Sequence, residues 1–213
     1  MKYILFDLDG TLTNPVIGIT KSIQYALSSK GIQITDLNSL TKYIGPPLRN
    51  TFMEFGFDAE EAEELVGKYR EYYRVTGIYE NEVYDGIEGL LHKLKEDGKK
   101  IYTATSKPEY YAKIILEHFH LDQYFEDICG ATMDDSRGTK EEVIRYVLEK
   151  NEIMDLDKVV MIGDREHDVE GAKKVGVTSI GVLFGYGSRN ELVEAGANYI
   201  AATVDEIYEI IKA

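Results

Sequence analysis

Apolar and polar positions follow two different periods along the chain. Residues 3–6, Tyr-Ile-Leu-Phe, form a short apolar run that ends in the polar turn Asp7-Leu-Asp9-Gly-Thr11, the pattern of a buried strand and its exit. Ile19, Ile23, Ala26 and Leu27 then recur at helical spacing, and Gly31 closes that helix. A second helix is predicted from Pro47, with Leu48, Phe52 and Phe55 on one side. Asp58 followed three residues later by Glu61 reads as a capping box, and Ala62, Leu65, Val66, Tyr69 and Tyr73 form the stripe of the helix it starts. No strand is predicted between Pro15 and Tyr79.

The period then changes. Ile87, Leu90, Leu91 and Leu94 predict a helix ended by Gly98, and Lys100-Ile-Tyr-Thr-Ala-Thr105 predicts a strand opening into a helix at Pro108. The alternation continues with a short strand near Ile128 and a helix over 139–150. A strand over 159–162, a helix over 169–175, a strand over 179–182 and a final helix capped by Thr203 complete it. Strands alternating with helices make a parallel sheet covered on both faces. The fold class is therefore α/β: a Rossmann-like parallel sheet core of residues 1–14 and 80–213, with an all-helical domain inserted at 15–79.

Composition narrows the picture. The chain has 213 residues, 44% of them apolar, enough for one substantial domain with an insert. No apolar run approaches bilayer-spanning length. The opening Met1-Lys-Tyr-Ile enters strand pattern directly, so a soluble, cytoplasmic protein without a membrane partner is expected. The formal charge of −14 argues against a nucleic-acid polymer as ligand, because phosphate-backbone binding needs clustered Lys and Arg. The single cysteine, Cys129, allows no internal disulfide, and its neighbours Ile128, Gly130 and Ala131 predict a buried strand residue.

The candidate chemistry gathers at predicted strand ends, where open parallel sheets bind ligands. Side chains two apart on a strand share a side, so Asp7 and Asp9 aim two carboxylates at one place while Leu8 turns away. Gly10 lets a ligand approach the backbone there. Two acids so close repel unless a cation or a shared proton intervenes, which calls for a metal. Gly163-Asp164-Arg-Glu-His-Asp168 ends another strand with two more carboxylates, hard oxygen ligands of the kind Mg²⁺ prefers. Arg165 and His167 read as surface or supporting residues. Thr105-Ser106-Lys107-Pro108 offers hydroxyls and free N–H groups at a helix start, an anion site. Lys140, opening another helix, is a candidate to meet a shared phosphate, with Lys107 its competitor.

In order and context, Asp7-Leu-Asp9-Gly-Thr11, Thr105-Ser106, Lys140 and Gly163-Asp164…Asp168 resemble the four motifs of the haloacid dehalogenase (HAD) superfamily of phosphatases. The insert resembles the small helical cap of the subgroup containing phosphoglycolate phosphatase, β-phosphoglucomutase and certain bacterial 5′-nucleotidases. Ile44-Gly-Pro-Pro-Leu-Arg49 and Gly181-Val-Leu-Phe-Gly-Tyr-Gly187 are most similar to the phosphoglycolate phosphatase and nucleotidase branch. The resemblance implies a Mg²⁺-dependent phosphatase of a small phosphorylated metabolite. It implies Asp7 as nucleophile and Asp9 as acid–base; Mg²⁺ on Asp7, the Asp9 backbone carbonyl, Asp164 and Asp168; and Thr105, the Ser106 N–H, Gly10 and Lys140 around the phosphoryl group. Arg49 is expected to reach the substrate from the insert, with Lys42 and Lys21 as further candidates. A phosphosugar mutase uses the same core, and a non-enzymatic phospho-receiver module also uses an Asp-rich sheet edge with Mg²⁺. Oligomeric state is not legible.

Overall fold

A computed structural model describes every residue of the chain except Asp135. The chain forms two compact units, Met1–Asn14 joined with Val83–Ala213, and Pro15–Glu82.

The first unit opens with β1 (Tyr3–Phe6) and β2 (Thr13–Asn14). The second unit holds α1 (Val16–Ser28), α2 (Leu48–Glu54) and α3 (Ala59–Val75), with 3₁₀ turns at Leu37–Tyr43 and Gly77–Tyr79. After β3 (Glu82–Val83), which pairs with β2, the first unit resumes with α4 (Ile87–Glu96), β4 (Lys100–Pro108), α5 (Glu109–His118) and β5 (Asp127–Ala131). It continues through α6 (Lys140–Lys150), β6 (Val159–Gly163), α7 (Glu166–Val175) and β7 (Thr178–Val182). It ends with α8 (Arg189–Ala195), β8 (Tyr199–Ala201) and α9 (Val204–Lys212).

The sheet of the first unit is parallel throughout and runs β5-β4-β1-β6-β7-β8. The chain builds outward from β1 to one edge, returns to its other side with β6, and builds to the opposite edge. The strand order thus reverses between β1 and β6, and a crevice opens beyond the carboxyl ends of strands at such a switch. Leu5, Tyr102, Ala104, Val159 and Met161 face a buried cluster with Val143, Ile144 and Val147 of α6 and Ala172 and Val175 of α7. Their strand neighbours Ile4, Phe6, Ile101, Val160 and Ile162 are buried too. Strands buried on both faces read as unbroken apolar runs, which is why these are legible without alternation.

The helical unit follows the predicted stripes. Ile19, Ile23, Ala26 and Leu27 of α1 and Leu65, Val66, Tyr69 and Tyr73 of α3 are buried. The capping box forms as the spacing requires: Asp58 Oδ1 accepts the N–H groups of Glu60 and Glu61 at 2.9 Å, and Glu61 accepts the N–H of Asp58. Cys129 lies buried in β5, and burial pushes its thiol up to about 12.

β4, α7, α8 and β8 differ from the pattern reading. β4 continues to Pro108, with an irregularity after Thr105, and α7 starts at Glu166 rather than near Val169. β8 went unpredicted because three residues are too few for a period to show, and α8, which leads into it, went unpredicted as well. Leu5 is fully buried between central strands and two helices. Leu5→Ala is expected to lower the unfolding free energy by about 2–5 kcal/mol, read by urea denaturation; a loss below roughly 1 kcal/mol would show that this face is not the packed core.

Candidate active site

β1 delivers the first carboxylate. The Asp7 N–H continues the ladder past the strand end, donating to the carbonyl of Ile162 at 2.8 Å. The chain then turns sharply, the Leu8 carbonyl accepting from the N–H groups of Thr11, Leu12 and Thr13. At φ +86°, Gly10 lies so close to the end of β6 that an added Cβ would stand 2.3 Å from Asp164 Oδ2. Only glycine fits that approach.

β6 and α7 deliver the next two. Asp164 is fully buried just past β6, and Asp168 lies in the first turn of α7, where its Oδ2 accepts the Arg165 N–H at 3.1 Å. One carboxylate oxygen from each of Asp7, Asp164 and Asp168 lies within 4.8 Å of the others, the set of acids close enough to share a metal ion among the described residues.

α6 supplies the countercharge. The Thr139 hydroxyl and Glu142 carboxylate cap its start reciprocally, which places Lys140 at the first helical position. A cation there opposes the helix dipole, and two carboxylates offset this. Lys140 Nζ lies 2.8 Å from Asp7 Oδ1 and 2.7 Å from Asp168 Oδ1, and donates to the Ala104 carbonyl at 2.9 Å. Burial opposes the charge on Lys140, but Asp168 and Asp7 outweigh it and raise its pKa. Burial lifts Asp168 to about 6 against the pull of Lys140. Burial, then the charges of Asp168 and Asp7, lift Asp164 well above the usual carboxylate range.

Asp164 differs from the others: Lys140 lies on Asp7 and Asp168, while the positive charge that opposes the rise at Asp164 is that of Arg165. Its Oδ2 accepts the Tyr186 N–H at 2.7 Å, while its Oδ1 is buried without a hydrogen-bond partner. A buried carboxylate oxygen with no partner, among three hard oxygen donors, fits a divalent cation such as Mg²⁺.

Asp9 stands apart from this set. Its Oδ2 is held by Lys107 Nζ at 2.5 Å and its Oδ1 is buried without a hydrogen-bond partner. Burial raises its pKa, and Lys107 opposes that rise. Thr105 is buried at the end of regular pairing in β4, its hydroxyl accepting the Lys107 N–H at 3.1 Å, and Ser106 beside it is half-buried. The structure thus brings Asp7, Lys140, Asp164 and Asp168 into one cluster. The two lysines that competed in the sequence both reach acids, Lys140 on Asp7 and Asp168, Lys107 on Asp9.

Arg49 and Lys42 belong to the helical unit. Arg49 is exposed on α2 beside Glu60 and Glu63 of α3, and the exposed Lys42 sits 4.7 Å from the ring centre of Tyr43. Lys21 pairs with Glu80 at 2.5 Å. Sequence reasoning assigned no role to Tyr186, although its N–H holds Asp164 and its hydroxyl donates to Asn14 at 2.7 Å. The available signal was the glycine on either side of it: a Cβ at Gly185 would stand 2.4 Å from the Asp164 Cβ, and one at Gly187 would overlap the Asp164 carbonyl.

Comparison with known proteins gives the family. The profile of the haloacid dehalogenase-like hydrolase family matches residues 4–182. A predicted phosphatase from Clostridium acetobutylicum has a similar crystal structure, at TM-score 0.95 and 51% identity, covering 99% of this chain and 98% of that one. A 5′-nucleotidase of Pseudomonas aeruginosa is 46% identical over 210 residues, 98% of this chain and 95% of its own. The tyrosine-protein kinase PtkA of Mycobacterium tuberculosis is 38% identical over 212 residues, 99% of this chain and 72% of its own. The chain belongs to the haloacid dehalogenase-like hydrolase family. It is an enzyme of the phosphatase kind, a hydrolase of phosphoric monoesters. No helix among the described residues is long and apolar enough to cross a membrane.

Asp164 also sets a stability test without added metal. A carboxyl whose folded pKa is raised binds more protons folded than unfolded, so its contribution to stability falls as pH rises above the unfolded value, 3.8. Asp164→Asn is expected to stabilise the metal-free protein by about 0.5–2 kcal/mol near neutral pH. That gain should vanish below the ordinary carboxyl value, where the wild-type group is protonated in both states. Denaturant titrations in EDTA across this range measure it, and a gain independent of pH would contradict the buried charge.

Proposed function

We propose that this phosphatase hydrolyses a small phosphomonoester metabolite, a nucleoside 5′-monophosphate in preference to phosphoglycolate, through an aspartyl-phosphate on Asp7. The observation that carries this reading is the buried ammonium of Lys140, which touches Asp7, Asp168 and the end of β4 together. It joins Asp7 and Asp168 to the end of β4, next to Thr105 and Ser106, which supports reading these residues as one site. The nucleotide preference follows the 46% identity to a 5′-nucleotidase.

An Asp7 carboxylate oxygen attacks phosphorus as the bond to the leaving oxygen breaks, dividing one difficult displacement into two easier ones. The Asp9 carboxyl, its pKa raised by burial, gives its proton to that leaving oxygen. The Asp9 carboxylate then takes a proton from water as the water oxygen attacks phosphorus, and the bond from phosphorus to Asp7 breaks to release phosphate. Lys140, the Thr105 hydroxyl, the Ser106 N–H and the open backbone at Gly10 hold the phosphoryl oxygens, since this chemistry is mainly positioning and charge stabilisation. Asp7, Asp164 and Asp168, with the Asp9 carbonyl, would hold Mg²⁺, whose charge screens the nucleophile from an anionic substrate. Arg49 is proposed to discriminate among substrates, with Lys42 as a lesser contributor.

Phosphate release from a panel of nucleoside 5′-monophosphates, phosphoglycolate and sugar phosphates tests the reading. EDTA should stop it and Mg²⁺ restore it. Asp7→Asn should reduce release to background in a folded protein, and Asp9→Asn should lower kcat for nucleoside monophosphates by roughly 10²–10⁴-fold. Turnover by Asp7→Asn at the wild-type rate would remove Asp7 as nucleophile. Transfer of phosphate between sugar positions, without free phosphate, would replace the hydrolase by a mutase.

A further inference from the structure

The ammonium on Asp9 is unexplained by the phosphate site, because the other lysine, Lys140, already serves Asp7 and Asp168. Three observations place Lys107 where it is. First, the pairing of β4 with β5 jumps from Thr105 opposite Gly130 to Pro108 opposite Ala131, so Ser106 and Lys107 are bulged out of register. Bulges beside reaction centres re-aim a side chain that a regular strand would direct elsewhere. Second, the neighbouring strand makes room for that bulge: a Cβ at Gly130 would stand 2.5 Å from the Lys107 carbonyl oxygen. Third, the Lys107 side chain is 6% exposed and its Nζ lies 2.5 Å from Asp9 Oδ2, while Asp9 Oδ1 is buried with no hydrogen-bond partner.

One oxygen of Asp9 is therefore clamped and the other left available. A lysine serves here as a point charge with rotatable donors, holding a single oxygen without covering both as a bidentate guanidinium would. We infer that Lys107 is a positioning residue for Asp9, fixing Oδ2 so that Oδ1 exchanges the proton with the leaving oxygen and then with water. This rests on the proposed acid–base role of Asp9. In the first half-reaction the phosphorus–oxygen bond to the leaving group breaks with its electron pair going to that oxygen, which takes the Asp9 proton. Lys107 then faces the carboxylate that remains, and in the second half-reaction Asp9 recovers a proton from the attacking water.

Leaving groups separate this role from others. p-Nitrophenolate departs without a proton, whereas the 5′-alkoxide of a nucleoside needs one. In single turnovers, Lys107→Met is expected to slow aspartyl-phosphate formation from a nucleoside 5′-monophosphate about tenfold or more while nearly keeping the rate of its formation from p-nitrophenyl phosphate, and to slow hydrolysis of the intermediate alike for both. Lys107→Arg should restore part of the lost rate. In an Asp9→Asn background, Lys107→Met should change neither substrate's kcat further, as two residues acting as one unit require. An equal loss on both substrates in that first half-reaction, or a rise in KM alone, would make Lys107 a structural or substrate-binding residue and overturn the inference. If Lys107→Met does not fold, Lys107→Arg alone decides. A loss confined to the nucleoside monophosphate in that first half-reaction supports positioning, and wild-type or uniformly reduced rates there reject it. Should Asp9→Asn itself leave both substrates at wild-type rates, the acid–base reading fails and this inference with it, an outcome distinct from failure of Lys107 alone.

Discussion

The first unit is built around an electrostatic problem: three carboxylates, Asp7, Asp164 and Asp168, held within a few ångströms of one another in a nearly dry place. Like charges in low dielectric repel strongly, and each carboxylate loses hydration on burial. Lys140 offsets part of this by lying on two of them, and removing one partner from such a buried set leaves an uncompensated charge. The third acid, Asp164, keeps an oxygen without a hydrogen-bond partner among the described residues. The arrangement is poor for stability and suited to a cation and an anionic substrate, the trade that functional sites make.

The rest of the unit makes this tolerable. Central parallel strands buried on both faces, with α6 and α7 packed on one of them, supply a rigid apolar frame whose carboxyl edge carries the charges. The reversal of strand order between β1 and β6 sets Asp7 beside Asp164 without either strand bending. Small residues do the rest: Gly10 and the loop around Tyr186 close on Asp164 at distances that a side chain would forbid. Capping of α6 by Thr139 and Glu142 fixes the helix start from which Lys140 reaches inward, against the sign the helix dipole favours. Each local feature is ordinary, and together they confine one ammonium between two acids.

The division of labour between the two lysines links structure to chemistry. Lys140 sits with Asp7 and Asp168, and Lys107 sits with Asp9. Both are buried, and each has a carboxylate in contact. Phosphoryl transfer needs charge stabilised at the transferring group and a proton delivered at the leaving oxygen, two tasks at two atoms. In the proposed mechanism, a separate ammonium for each task would keep the Asp9 carboxyl from being drawn onto Lys140.

Much of this was legible in the chain itself. Unbroken apolar runs such as Val159-Val-Met-Ile162 declare doubly buried strands, the Asp58 and Glu61 spacing declares a helix start, and paired acids two apart after β1 mark a candidate site, because these signals are local and rest on backbone period and side-chain direction. The four motifs and the family they resemble were readable for the same reason. What tertiary structure alone decided is pairing across distance. Nothing in Thr105-Ser106-Lys107 or Thr139-Lys140 says which acid each lysine meets, since that depends on a bulge in β4 and on the glycine opposite it in β5. The hold of Tyr186 on Asp164 spans 22 residues and is set by how β7's following loop folds back over the end of β6. Short elements such as β8 also waited on the sheet edge that pairs with them, because three residues carry no period of their own.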